Sequence, residues 1–271
     1  MLDINLQKSA LEAKSILGRI PIYYDIGVRG GLINVWDELA KKNLIEAYGF
    51  DPAIDHISSI AKRDKHVKYL PVALGEFNEK KRLIHTFLPA CSSFLEPNFE
   101  LLQHYPARKI FEIVGESEVE VKTLDSLVDN KDIPAPDIIK LDTQGFELSI
   151  LKGGISTLKN IVCIEIEVQF KPMYIGQSLF FETKEFLEDN GFILRDLKVN
   201  GPYEGEFLEA DAFFSRKPAL DKNIGMIRMW QEACKVDSPD FLAQDEYPQE
   251  WKDYITQEHL EINKRLFGTL K

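Results

Sequence analysis

Residues 137–154 read Asp137-Ile-Ile-Lys-Leu-Asp-Thr-Gln-Gly-Phe-Glu-Leu-Ser-Ile-Leu-Lys-Gly-Gly, and the fold is decided there. Ile138, Ile139 and Leu141 make a short apolar run of the kind carried by a strand buried on both faces. Asp142 closes the run, and Thr143-Gln144-Gly145 is a turn in which Gly145 can take backbone angles that other residues resist. From Phe146 the period changes: Phe146, Ile150, Leu151, Ile155 and Leu158 recur at helical spacing. Ile161 to Phe170 reads as a second strand. Strand–helix–strand is the unit of a parallel sheet, and such sheets bind ligands outside the carboxyl ends of their strands. Asp142 stands at one such end, with Glu165 and Glu167 near the next.

Upstream, Ile22 to Tyr24 read as a strand, and Asp25-Ile-Gly-Val-Arg-Gly-Gly as a glycine turn into a helix. Gly27 and Gly30 let backbone approach a ligand closely. A dinucleotide fingerprint would need G-x-G-x-x-G, and its first glycine pair is missing. Leu44 to Phe50 is the second strand, ending in Asp51 before Pro52. A carboxylate there can accept from both hydroxyls of a ribose, or cap the next helix. Val67 to Glu76 supplies the third strand and its turn.

Residues 76–136 are too long for a plain connection. Arg82–Leu88 and Val119–Leu124 have strand character, so an inserted hairpin with a helical unit is expected. His85 lies on it, where a histidine over a site can act as general base. Phe181 to Asn190 is a helix stopped by Gly191, and Phe192–Leu197 and Phe207–Ser215 are the last two strands, the final one antiparallel. An amphipathic helix over residues 2–18 precedes all this, ending at Gly18. After Pro218 the chain is charged and helical in pattern; its Met and Trp stripe suits packing on the main domain or a homodimer contact.

Ile139 to Glu147, then Leu151-Lys-Gly-Gly, then Glu165-Ile-Glu-Val together resemble the signature of the FkbM-type methyltransferases. The resemblance covers roughly residues 20–217. It implies a Rossmann-like α/β sheet of seven strands and methylation of hydroxyl groups from S-adenosylmethionine (SAM). It divides the chain into an N-terminal helix (1–19), a methyltransferase domain (20–217, insert about 76–136) and a helical extension (218–271). Asp25, Gly27 and Gly30 resemble the first SAM-binding motif, which borders the amino-acid end of the cofactor. Ala73 and Leu74 match the stretch beside the adenine. Cys91 to Asn98 resembles the family's serine-rich turn ending in Pro-Asn. Tyr174, Gly176 and Gln177 match the loop after the fifth strand, where they can line a sugar or polyol pocket. Asp51 departs from the pattern, which usually has Glu there; the shorter arm shifts the geometry of a ribose contact.

Methyl transfer to a hydroxyl is an in-line displacement that needs alignment and a proton acceptor. Asp142 is the expected catalytic residue nearest the reacting methyl, with Glu165 and His85 as further candidates. Converging carboxylates can also hold a divalent cation that polarises the acceptor, but the spacing fits no diagnostic metal motif, and no metal ligand is assigned. A nucleotide-cofactor oxidoreductase and a non-catalytic SAM-fold scaffold in a biosynthetic complex are the alternatives; NADH binding or turnover of a hydroxyl acceptor separates them.

Lys and Arg number 33 against 44 Asp and Glu, a net charge of −11. That field disfavours nucleic acid and anionic membranes as partners. Cys91, Cys163 and Cys234 form no paired motif, and with no signal-peptide pattern they fit a reduced, cytoplasmic protein. A small molecule or saccharide is the expected partner.

Overall fold

The computed structural model describes residues 2–201, 205–216 and 223–236. In chain order the elements are α1 (Ile4–Leu17), β1 (Ile22–Ile26), α2 (Asn34–Lys41), β2 (Glu46–Phe50), α3 (Ile54–Arg63), β3 (Val67–Leu70), β4 (Ala73–Leu74) and β5 (Glu79–Thr86). There follow α4 (Phe99–Leu102), β6 (Ile113–Lys122), α5 (Leu124–Asp129), β7 (Ile138–Leu141), α6 (Glu147–Lys152), α7 (Ile155–Leu158) and β8 (Cys163–Gln169). α8 (Phe180–Asp189), β9 (Phe192–Asn200), β10 (Glu209–Arg216) and α9 (Ile224–Cys234) complete the series.

Seven strands form the main sheet in the order β3-β2-β1-β7-β8-β10-β9. β10 alone runs antiparallel to its neighbours β8 and β9. The strand order turns back on itself between β1 and β7, and this switch point opens a crevice at their carboxyl ends. The sheet is the Rossmann-like one expected from the sequence.

Each face of the sheet has its own cover. Ile139, Leu141, Ile164, Ile166 and Val168 point to one side, into a core shared with Leu124, Leu148, Leu151, Leu158, Phe180 and Leu187 of α5–α8. Fully burying such a side chain is worth roughly 1.5–3 kcal/mol, so this layer is a large contributor to stability. α9 covers the other face, with Met226, Met229 and Trp230 buried, and α1 packs on α9. The Met and Trp stripe is therefore core in its first part. α1 starts on the Asp3 carboxylate, which accepts from Asn5 N–H, and stops at Gly18 in the left-handed conformation. Pro218 and the later helical pattern with Trp251 and Leu260 lie outside the described residues.

The insert is a hairpin, as expected. β5 pairs antiparallel with β6, and β4 joins β6 in a separate three-stranded sheet. Ala73 and Leu74 thus leave the main sheet after Pro71, because Val121 and Lys122 offer their segment a pairing partner.

Candidate active site

At the carboxyl ends the sequence forces β1 and β7 together. Gly27 has φ +93°, and a Cβ there would stand 1.9 Å from the Asp142 carbonyl oxygen. Only glycine allows this approach. A chamber of about 250 Å³ opens above it, lined by Asp25, Gly27, Val28, Arg29, Gly31, Ile33, Ala90, Lys140, Asp142 and Gln144. Asp25 is buried, and among the described residues its Oδ1 has no hydrogen-bond partner. Burial pushes its carboxyl up to about 6, with the Lys140 charge pulling the other way. Lys140 Nζ lies 3.5 Å from Asp142 Oδ2 and is held above its usual range by Asp25, Asp142, Glu165 and Asp211, which outweigh its burial. The donor set fits a zwitterionic, cationic ligand of SAM's kind. Unpaired carboxylate oxygen suits an ammonium or sulfonium, and Lys140 and Arg29 suit a carboxylate.

A second chamber, about 190 Å³, lies under the insert. Its walls are mainly apolar: Cys91, Leu102, Tyr105, Ala107, Ile110, Phe111, Met173 and Leu208, with Arg108 also lining it. Glu167 and Glu209 line it too. Ala90 and Gln144 line both chambers and so mark the place where they meet.

Glu167 is the acid of greatest interest on the second side. It is held well above the normal carboxylate range by burial first, then by the charges of Asp142, Glu147, Glu209 and Asp211. Gln144 Nε2 donates to it at 3.0 Å and Gln169 Nε2 at 2.9 Å. Glu147 is also buried, and burial lifts it to about 7. Its Oε1 accepts from Thr143 N–H at 2.6 Å and from Gly145 N–H at 3.2 Å, so it braces the turn after β7.

The sequence-predicted residues separate into groups. Asp25, Gly27 and Asp142 meet in the first chamber. Gly30 sits in the same turn at φ +99°, its N–H donating to His56 Nε2. Asp51 ends β2 buried, with Oδ1 accepting from Ala53 N–H at 2.8 Å, so it caps the turn into α3. Ala73 and Leu74 are buried in the small sheet and line neither chamber. Glu165 faces α9, where Cys234 Sγ is 3.6 Å from its Oε2, and burial lifts it to about 7. His85 Nε2 is 2.8 Å from Ser117 Oγ across the hairpin. Neither Glu165 nor His85 lines either chamber. Tyr174 and Gln177 are buried supports behind the chamber wall: the Tyr174 hydroxyl lies 2.8 Å from the Cys91 carbonyl and 3.0 Å from Gln144 Oε1. Among the described residues no group of three or more His, Cys, Asp or Glu could hold a metal ion. None of their helices is long and apolar enough to cross a membrane.

The model of the FkbM methyltransferase domain matches residues 38–194, more than half of the 271. The chain belongs to the FkbM methyltransferase family. This FkbM-family match begins inside α2, so β1 and its glycine turn lie outside it and are placed by the sheet. A hexuronic acid methyltransferase, AglP, from Haloferax volcanii is 36% identical over 68 residues, which are 24% of this chain and 28% of that protein. Among solved structures, a TehB-like SAM-dependent methyltransferase from Corynebacterium glutamicum is 13% identical at TM-score 0.39, covering 79% of this chain and 89% of its own. A methyltransferase FkbM from Methylobacillus flagellatus is 14% identical at TM-score 0.39, covering 72% and 43%.

Proposed function

We propose that this FkbM-family methyltransferase is a SAM-dependent O-methyltransferase acting on a hydroxyl of a saccharide or another small molecule. The observation that carries the reading is the pair of chambers meeting at Ala90 and Gln144. One is built for a cationic donor at the switch point. The other is mainly apolar, with the buried Glu167 carboxyl group hydrogen-bonded to Gln144 of the shared wall. When bound, SAM supplies a methyl already activated by its sulfonium.

Asp25 and the Gly27–Gly30 turn would hold the amino-acid end, and Asp51 at the end of β2 the ribose; Ala73 and Leu74, buried in the small sheet, are given no part. Asp142 faces the donor chamber and would steady the reacting centre by its charge. Glu167 lines the second chamber beside Gln144, and its carboxylate form is best placed to take the hydroxyl proton. Glu165 and His85, set back from both chambers, are given no part in the step. Asp142 and Glu167 both stay within reach of one side chain, Gln144, so alignment is built in rather than acquired. The AglP likeness makes hexuronic acids the first acceptors to try, and Arg108 in the second chamber offers a carboxylate a partner.

The test begins with calorimetric titration by SAM, by its demethylated product and by NADH. It continues with transfer of labelled methyl from SAM to hexuronic acids, neutral sugars and apolar alcohols. Binding of either SAM species and a base-stable methyl ether as product are expected. A base-labile ester, an N-methyl product or binding of NADH in place of SAM would overturn the reading.

A further inference from the structure

Gln144 stands in a conformation its side chain does not favour. Its φ is +59°, in the left-handed region that costs any residue bearing a Cβ. Its side chain explains the choice. Nε2 donates to Asp142 Oδ1 at 3.1 Å and to Glu167 Oε2 at 3.0 Å. Oε1 lies 3.0 Å from the Tyr174 hydroxyl, whose single proton it shares with the Cys91 carbonyl, and the backbone carbonyl accepts from Ser93 Oγ at 2.7 Å. Both N–H bonds of one amide are thus spent on two carboxylates, one in each chamber, while the amide oxygen is tied to the buried wall. Strain of this kind persists where the surroundings over-determine it, and it gathers at functional sites.

We infer that Gln144 is a positioning residue for methyl transfer, whose carboxamide couples Asp142 of the donor chamber to Glu167 of the acceptor chamber and fixes the two acids as one unit. This deepens the proposed function and rests on it for the chemistry, though the coupling is a property of the folded chain. A primary amide is the right group for the task. Lys or Arg would neutralise the pair, a hydroxyl has one proton to give, and a carboxylate would add a like charge.

Several groups face Glu167: Asp142 from the end of β7, Glu147 from α6, Glu209 and Asp211 from β10, and Gln169 from its own strand. Cys91 of the insert and Tyr174 of the loop after β8 complete its surroundings. Gln144 and Gln169 donate hydrogen bonds to it, so losing Gln144 removes a contact that favours the charged form.

The experiment uses the full chain and Gln144→Gly, which relieves the backbone while deleting the amide. Three quantities are read: thermal midpoint, the titration midpoint of Glu167 by carboxyl ¹³C NMR (assigned by its loss in Glu167→Gln), and kcat. The expected result is a thermal midpoint unchanged or raised and a Glu167 midpoint higher by about one pH unit. On the acceptor used by the unmodified chain, kcat should fall on the order of 30-fold or more with the SAM Kd little changed. Gln144→Asn keeps an amide and tolerates the left-handed backbone, but is one methylene too short to bridge both acids, and should not rescue kcat. A lowered thermal midpoint with an unmoved Glu167 titration would overturn the inference, leaving Gln144 a turn residue. So would a Gly variant identical to the unmodified chain in all three readings. The NMR titration needs no acceptor, so a chain that methylates nothing would sink the proposed function and still decide this point.

Discussion

At the amino ends of β1 and β7, Asp137 accepts from Arg19 Nη1 at 2.6 Å, from Arg19 Nη2 at 2.7 Å and from Ile22 N–H at 2.8 Å. At the carboxyl ends of these strands and of their neighbour β8, Asp25 keeps an oxygen with no partner among the described residues, Gln144 sits at positive φ, and Glu167 is crowded by four acids. The residue types are alike, and their states are opposite. Satisfied charge at the first end holds strands in register, and its geometry is bidentate. An unpartnered carboxylate oxygen at the second end costs stability and is what a cationic ligand would complete. A carboxylate's role in this protein is therefore read from its unspent hydrogen-bonding capacity more than from its identity.

The largest expected effect falls at the carboxyl end. Glu167→Gln should reduce kcat by about 10²–10⁴-fold, the range for losing a general base, with the thermal midpoint held or raised because a crowded acid is gone. A variant as active as the parent would place proton acceptance elsewhere and break the contrast. The opposite pattern is expected at the amino end. Asp137→Ala leaves Arg19 and the Ile22 N–H without their acceptor and should cost about 3 kcal/mol of stability, somewhat less than a fully buried pair because Arg19 is half exposed. Urea unfolding would measure it, and SAM affinity per folded molecule should stay the same.

A third effect is smaller and depends on pH. Burial holds Asp25 at about 6 and Glu147 and Glu165 at about 7, so all three bind protons more tightly folded than unfolded. The stability they contribute is complete below the unfolded carboxylate range near pH 4 and is lost as pH rises through about 7. Urea unfolding between pH 4.5 and 8 should show this decline, and Glu165→Gln should flatten it by about 2 kcal/mol. An unchanged slope would mean Glu165 is reached by solvent. The smallest effect is expected at Asp51→Ala, which should weaken SAM binding by about 1–2 kcal/mol, measured by calorimetry. Unchanged affinity would leave Asp51 as the cap of its turn.

Much of this contrast was legible in the sequence. The period change at Phe146 and the apolar run before Asp142 gave the strand–helix–strand unit, because both signals are local. The glycine turn at Gly27 was legible for the same reason. What escaped depends on distant partners. Ala73 and Leu74 read as a continuation of β3 until β6, nearly fifty residues on, offers another edge. Glu165 and Glu167 alternate onto one face, yet α9 covers the first and leaves the second at the chamber, a distinction made by a helix from the far end of the chain. Gln144 gave no signal, since a left-handed glutamine is not marked by composition or period. The nearest clue was its place between Asp142 and a glycine.

The segment Ser93–Asn98 fastens the insert to the sheet. Ile175 N–H donates to the Glu96 carbonyl and Asn98 N–H to the Met173 carbonyl, each at 2.8 Å, while Ser93 holds the Gln144 carbonyl. The second chamber, however, draws Leu102, Tyr105, Ala107, Arg108, Ile110 and Phe111 from the stretch just beyond. Anchorage and selectivity are thus written in neighbouring but separate words of the chain. Residues 99–111 can drift, lengthen or be exchanged for those of a relative while the seam beneath them stays closed. On the proposed function, new acceptors would be sampled in this way without re-inventing the transfer step.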